Sequence, residues 1–292
     1  MMMNRVHRVT ALRVLTALAM VLAWAQAGAQ TTPMERIQLV DSPEPALVAH
    51  WWPAAGAGAH PAVIGLHGCG GLYTRKGAIS ERFRGYAERW HAAGYSVLLP
   101  DSWTTHDHQH VCQTPYAQRH HYSAQRNADV RAAVAWLQAQ PGVDATRVAV
   151  VGWSNGASTA LRAIDPARGP VPRLAGVAVF YPGCAPLQRR SAMLAPVPLL
   201  MQLGANDNWT PAAPCVALAE RLQQAGHDVT LRVYEGSVHG FDGTEPLRIR
   251  ADVPNGADPH HIRQGGNPQA RAAAIDELHA FLQRVLAPKG QS

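Results

Sequence analysis

Val148-Ala149-Val150-Val151-Gly152-Trp153-Ser154-Asn155-Gly156 is the stretch from which the rest of the chain can be read. Its first four residues are apolar and three are β-branched, the composition of a buried strand. The next five fit G-x-S-x-G, and Ala157 to Ala163 is small and helix-compatible. Strand, tight turn and helix, with the serine at the turn, is the setting in which this pattern presents a nucleophile. A serine held there sits at a strained backbone angle, and side chains two residues either side would collide with the strand or the helix. Outside that setting the same five residues make only a glycine-bounded turn.

Working outward, apolar runs alternate with helical spacing. Strands are expected at Arg36 to Val40, Leu47 to Trp52, Ala62 to His67, Tyr95 to Leu99, Leu174 to Phe180, Pro198 to Leu203 and Val229 to Tyr234. The first two suit an antiparallel edge. Helices are expected at Ile79 to Ala93, Ser123 to Gln140 and Gln269 to Ala287, each with an apolar row at helical spacing, and at Pro211 to Gly226, with proline in its first turn and glycine at its end. Such alternation predicts an α/β fold: a mostly parallel central sheet with helices on both faces.

The amino terminus reads differently. Arg5, Arg8 and Arg13 precede an apolar run from Val14 to Ala25, and Ala27-Gly28-Ala29 supplies small residues at a cleavage position. This is the pattern of a signal peptide over residues 1–29, the run being too short to span a bilayer. Residues 30–292 then form one α/β domain outside the cytoplasm, periplasmic or secreted. The formal charge of +6 falls to about +3 once the three arginines leave. With no basic stripe carrying aromatic residues, nucleic acid is not an expected partner, nor is a membrane after cleavage. All four cysteines, Cys69, Cys112, Cys184 and Cys215, lie in the exported part, where they can oxidise. Cys184 and Cys215 each follow a strand end, which favours pairing them and leaves Cys69 for Cys112. No cysteine spacing suits a metal.

A serine hydroxyl needs a base to take its proton. His239 directly follows the last expected strand and Asp207 the one before it. Both therefore stand at carboxyl ends of parallel strands, the ligand edge of such sheets, together with Ser154. In the order Ser, Asp, His the imidazole would abstract the serine proton and the carboxylate would orient the ring. Asp242 and Asp101 are rival acids, also near strand ends; with Asp207 as the acid, Asp242 should point toward the long loop that begins beside it. Two backbone amides should hold the oxyanion. Asn155 follows the nucleophile, and Cys69 lies in His67-Gly68-Cys69-Gly70-Gly71, after the Ala62 strand.

Together His67 to Gly71, Gly152 to Gly156, Gly204-Ala205-Asn206-Asp207 and His239-Gly240-Phe241-Asp242 resemble the dienelactone hydrolase family of α/β-hydrolases, over about Ile37 to Leu286. The resemblance implies an α/β-hydrolase fold without a lid domain and a hydrolase of ester or lactone bonds in small molecules, requiring no cofactor or metal. The namesake enzymes carry cysteine at the nucleophile position and a glutamate in the loop that here reads His67 to Gly71. Ser154 and the absence of that acid point to a serine esterase instead. A peptidase on this fold would need an added acceptor domain, and none is visible. A binding protein on a hydrolase scaffold would not need Ser154, Asp207 and His239 together.

Two polar loops complete the reading. Asp101 to Tyr122 carries His106, His108, His110, His120 and His121, a set that could hold a transition metal but reads better as a solvated loop. Phe241 to Pro268 reads as a long irregular segment, its Arg248, Arg250 and Arg263 balanced by Glu245, Asp252 and Asp258.

Overall fold

Where the sequence runs through Val, Leu, Ile and Ala without polar interruption, the chain forms the inner strands of one sheet. The computed structural model describes residues 34–39, 45–108 and 110–288; the expected signal peptide lies outside them. The strands are β1 (Glu35–Gln38), β2 (Val48–Trp52), β3 (His60–Leu66), β4 (Ser96–Pro100), β5 (Val143–Trp153), β6 (Gly176–Phe180), β7 (Leu199–Gly204) and β8 (Val229–Tyr234). They pair in the order β1-β2-β4-β3-β5-β6-β7-β8. The pairs β1–β2 and β2–β4 are antiparallel and the rest are parallel.

Parallel neighbours need crossovers, and the helices supply them. They are α1 (Glu81–Ala92), α2 (Ser102–Thr105), α3 (His120–Gln138), α4 (Asn155–Ala163), α5 (Ala185–Arg189), α6 (Ala213–Gln224) and α7 (Pro268–Val285). One face of the sheet is covered by Val130, Val134 and Leu137 of α3, Ala157 and Leu161 of α4, and Leu218 and Leu222 of α6. The other is covered by Phe83, Tyr86 and Trp90 of α1 and by Leu278, Phe281 and Leu282 of α7. Strands covered on both faces explain why β4, β6 and β7 are buried throughout and mostly apolar, while β8, at the edge, is only half-buried.

Two expectations are corrected. Residues 241–268 are not irregular throughout: β9 (Arg248–Arg250) and β10 (Ile262–Gln264) form an antiparallel ribbon. Each strand has three residues, too few for periodicity to register. The ribbon is held through Ile262, which is buried beside Trp103, Trp209 and Val253, and Gln264 forms a parallel bridge with His239. Of the three arginines, Arg250 pairs with Asp252 at 2.7 Å, as expected, whereas Arg263 donates to the Asn206 carbonyl at 3.0 Å. The histidine-rich segment is not simply solvated. Trp103, Val111 and Cys112 are buried, and His106 Nε2 lies 3.0 Å from the Asp129 carboxylate on α3.

Both cysteine pairings follow the strand-end placement. Cys69 is bonded to Cys112 and Cys184 to Cys215, with Cα separations of 4.9 and 5.0 Å. The bridges close segments of 43 and 31 residues, each contributing about 4 kcal/mol by the loop-closure relation. They fit an oxidising compartment.

Candidate active site

The turn after β5 has the geometry its glycines imply. Ser154 has φ 53° and ψ −112°, outside the regions a non-glycine residue favours, and it caps α4. A Cβ on Gly152 would lie 2.6 Å from the Gly156 carbonyl oxygen; one on Gly156 would lie 2.1 Å from that of Leu66. Neither position admits a side chain. The close approach at Gly156 also brings the end of β3, and the loop after it, against the turn.

The carboxyl ends of three strands converge here. Ser154 Oγ lies 3.0 Å from His239 Nε2, and His239 Nδ1 lies 2.8 Å from Asp207 Oδ2. Asp207 is fixed from several sides. Its Oδ1 accepts from the amides of Trp209 (2.8 Å) and Thr210 (2.9 Å), and its Oδ2 from Thr210 Oγ1 (3.0 Å). The His239 ring is buried between Trp209 and Tyr181, with centroids 4.5 and 4.6 Å away. A carboxylate on Nδ1 keeps the proton on that nitrogen and leaves the Nε2 lone pair facing Ser154.

The loop after β3 packs on the turn as well. A Cβ on Gly68 would meet the Trp153 carbonyl at 3.4 Å and Ser154 Cβ at 3.5 Å. The Gly68 carbonyl accepts from Trp103 Nε1 (3.3 Å) and from Gly71 (3.2 Å), and His67 Nδ1 is 2.8 Å away. Burial, with the charge of Arg126, holds His67 well below the usual imidazole range, so the ring is neutral and its Nδ1–H donates. In a trans peptide N–H and C=O point oppositely, so the Cys69 amide is turned away from Trp103. Asn155 is the first residue of α4, and its amide has no acceptor within the helix.

One buried side chain joins these two segments. Arg126 Nη1 donates to the His67 carbonyl (2.9 Å) and to Asn155 Oδ1 (2.7 Å), and the guanidinium stacks on Trp103 at 4.6 Å. Burial pulls its pKa down to about 10, partly offset by the Asp129 carboxylate, so it stays charged. Sequence reasoning missed it, because an arginine in mid-helix reads as a solvated residue. Thr210 was missed as well; only its place three residues after Asp207 could have suggested it.

The rival acids lie elsewhere. The Asp101 carboxylate caps α2 by accepting from the Thr104 amide (3.2 Å). Asp242 does not point toward the long loop beside it, as its sequence position suggested. It is buried under the site and accepts from Tyr181 OH (2.6 Å), Trp153 Nε1 (2.8 Å) and Tyr86 OH (3.2 Å), with Arg82 Nε 3.7 Å away. Three ring donors converge there, so the side chain satisfies more of its lone pairs inward than it could at the surface. Burial raises the Tyr181 and Tyr86 phenols well above their ordinary range, so both remain donors. The Cys69 sulfur, though close to the turn, is bound to Cys112 and offers no thiol nucleophile.

Two cavities of about 890 and 780 Å³ adjoin Ser154, and Cys69 lines both. The model of the dienelactone hydrolase family matches residues 51–286. The chain belongs to the dienelactone hydrolase family. As a member it is a carboxylic ester hydrolase. A search among curated proteins returned no match. Among solved structures the family member is similar to a putative dienelactone hydrolase from Klebsiella pneumoniae, at 18% identity and TM-score 0.62, over 86% of this chain and 98% of that one. It is also similar to an esterase from Thermogutta terrifontis, at 18% identity and TM-score 0.61, over 90% and 96%. A dienelactone hydrolase-like promiscuous phosphotriesterase from metagenomic libraries aligns at 17% identity and TM-score 0.64, over 87% and 98%. At these identities the three share the α/β-hydrolase fold with the family member.

Proposed function

We propose that this family member is an exported serine hydrolase that cleaves small carboxylic esters or lactones through an acyl-enzyme. The observation that carries the reading is the line of contacts Ser154 Oγ, His239 Nε2, His239 Nδ1, Asp207 Oδ2, at 3.0 and 2.8 Å. Ser154 attacks the ester carbonyl while His239 Nε2 takes its proton. The Cys69 and Asn155 amides receive the oxyanion. His239 returns the proton to the departing alcohol, then deprotonates the water that releases the acid, while Asp207 stabilises the imidazolium. The signal-peptide pattern over residues 1–29 and two disulfides support export, with residues 30–292 as one domain. Treatment with a fluorophosphonate should place one adduct on the Ser154 peptide and abolish hydrolysis of p-nitrophenyl acetate. Full activity without that adduct would refute the reading.

Arg126 then acts as a positioning residue for both oxyanion donors. In Arg126→Met the His67 carbonyl and Asn155 Oδ1 lose their common donor. We expect kcat to fall about 10- to 100-fold with KM nearly unchanged, short of the full loss of a donor. Steady-state kinetics beside a circular dichroism spectrum check this; a kcat within twofold of wild type contradicts it.

A further inference from the structure

The two cavities beside Ser154 differ in what they touch. The smaller includes His239; the larger includes Asn155 and Ser158 but not His239. In the mechanism proposed above, His239 hands a proton to the departing alcohol, so the alcohol leaves through the smaller cavity. The acyl chain is then left to the larger one.

Two helices supply one side of the larger cavity's wall. Ser154, Ser158 and Arg162 recur every fourth residue and line it along α4; His120, Ser123 and Asn127 line it along α3. At the helical rise of 1.5 Å per residue, the backbone wall from Ser154 to Arg162 is about 12 Å long. Helical side chains lean toward the amino terminus, so the Arg162 guanidinium lies nearer Ser154 than its own Cα does.

Arg162 is part-buried and lacks the partners such a cation usually finds. Its Nη1 is buried without a hydrogen bond, and among the described residues Arg162 pairs with no carboxylate. Arg189, at the cavity's exposed rim, likewise has no carboxylate partner among them. Arg168, also in the wall, shares the Asp165 carboxylate with Arg190. No described aspartate or glutamate lines the cavity. Burial first, then the Arg168 charge, disfavour the Arg162 cation, a cost that a bound anion would offset. The Asn127 side-chain oxygen is buried in the same wall without a partner, and the amide can be turned to present its NH₂ instead.

We infer that this cavity holds an acyl chain ending in a carboxylate gripped by Arg162, with Arg189 at the rim, so that the preferred substrates are hemiesters of linear dicarboxylic acids. The inference rests on the serine-hydrolase reading and names its substrate class. At about 1.2 Å per bond, about four to eight methylenes would bridge the two ends. A compact ring lactone would leave Arg162 unreached.

The test compares p-nitrophenyl hemiesters from succinic to sebacic acid with the same esters methyl-capped at the distal acid. In the wild type, the charged-to-capped ratio of kcat/KM should exceed about 10 at the optimal length and fall with added salt. Arg162→Met should bring the ratio to near 1, and Arg162→Lys should retain part of it. Should Arg162→Met fail to fold, inhibition of the wild type decides: suberate should compete at a concentration at least about tenfold below octanoate. A ratio near 1 at every length, a ratio unchanged by Arg162→Met, or equal inhibition by the two acids would overturn the inference while the enzyme still cleaves neutral esters. Absence of turnover on every ester would remove the serine-hydrolase reading and this inference with it.

Discussion

Ser154→Ala is expected to lower kcat for a p-nitrophenyl ester by about 10³-fold or more, and His239→Ala by a similar factor. The reason is geometric. With Ser154 Oγ 3.0 Å from Nε2, the hydroxyl and the ring act in one step. Removing either leaves only what the oxyanion donors and the cavity supply. The double variant should therefore lose little more than the worse single one. Ser154→Ala leaves the packing intact, since Ser154 is part-buried and loses one oxygen, whereas His239→Ala opens a hole between Trp209 and Tyr181 that calls for a check of thermal stability. Multiplicative losses in the double variant, or a folded Ser154→Ala protein with wild-type turnover, would sink the assignment.

How much of this was legible in the sequence depended on how local each signal was. The turn at Ser154 was readable because the pattern that marks it lies within nine consecutive residues. Gly152 and Gly156 are required by contacts with Gly156 itself and with Leu66, next to which β5 must pair. Asp207 and His239 were readable by a longer argument: parallel strands put successive carboxyl ends on one edge, and β7 and β8 are adjacent. The same logic found the Cys184–Cys215 bridge. Burial that depends on distant partners was not readable. Arg126 is an ordinary helical arginine until Trp103 and His67 close over it. Ile262, in a three-residue strand with arginine beside it, anchors a ribbon only because Trp103 and Trp209 leave a place for it. The direction of Asp242 could not be read either, because two of its donors, Tyr86 and Tyr181, come from separate elements.

Asp207 and Asp242 separate cleanly under the same substitution. Asp207→Asn is expected to lower kcat by about 10³- to 10⁴-fold with little loss of stability. An amide nitrogen facing Nδ1 donates to it, which forces the ring proton onto Nε2. The nitrogen facing Ser154 can then no longer accept the hydroxyl proton. Thr210 Oγ1, 3.1 Å from the same Nδ1, can accept its proton while donating to the Tyr181 carbonyl (3.0 Å), but a neutral hydroxyl does not stabilise the imidazolium as the carboxylate does, so it does not restore the rate. Asp242→Asn should do the reverse. Its carboxylate accepts from Trp153, Tyr181 and Tyr86 beside the Arg82 cation. An amide keeps one acceptor oxygen, turns an NH₂ toward a donor and leaves Arg82 only the exposed Glu245 carboxylate, 3.5 Å away. That should cost about 2–4 kcal/mol of unfolding free energy. The loss of turnover should stay within about tenfold, since Asp242 reaches the chemistry only through the packing of Tyr181 on His239. Urea unfolding and steady-state kinetics on the two variants give four numbers. A large kinetic loss in Asp242→Asn with normal turnover in Asp207→Asn would transfer the acid's role to Asp242. Large kinetic losses in both would mean that the Asp242 cluster shapes the His239 ring as directly as Asp207 does.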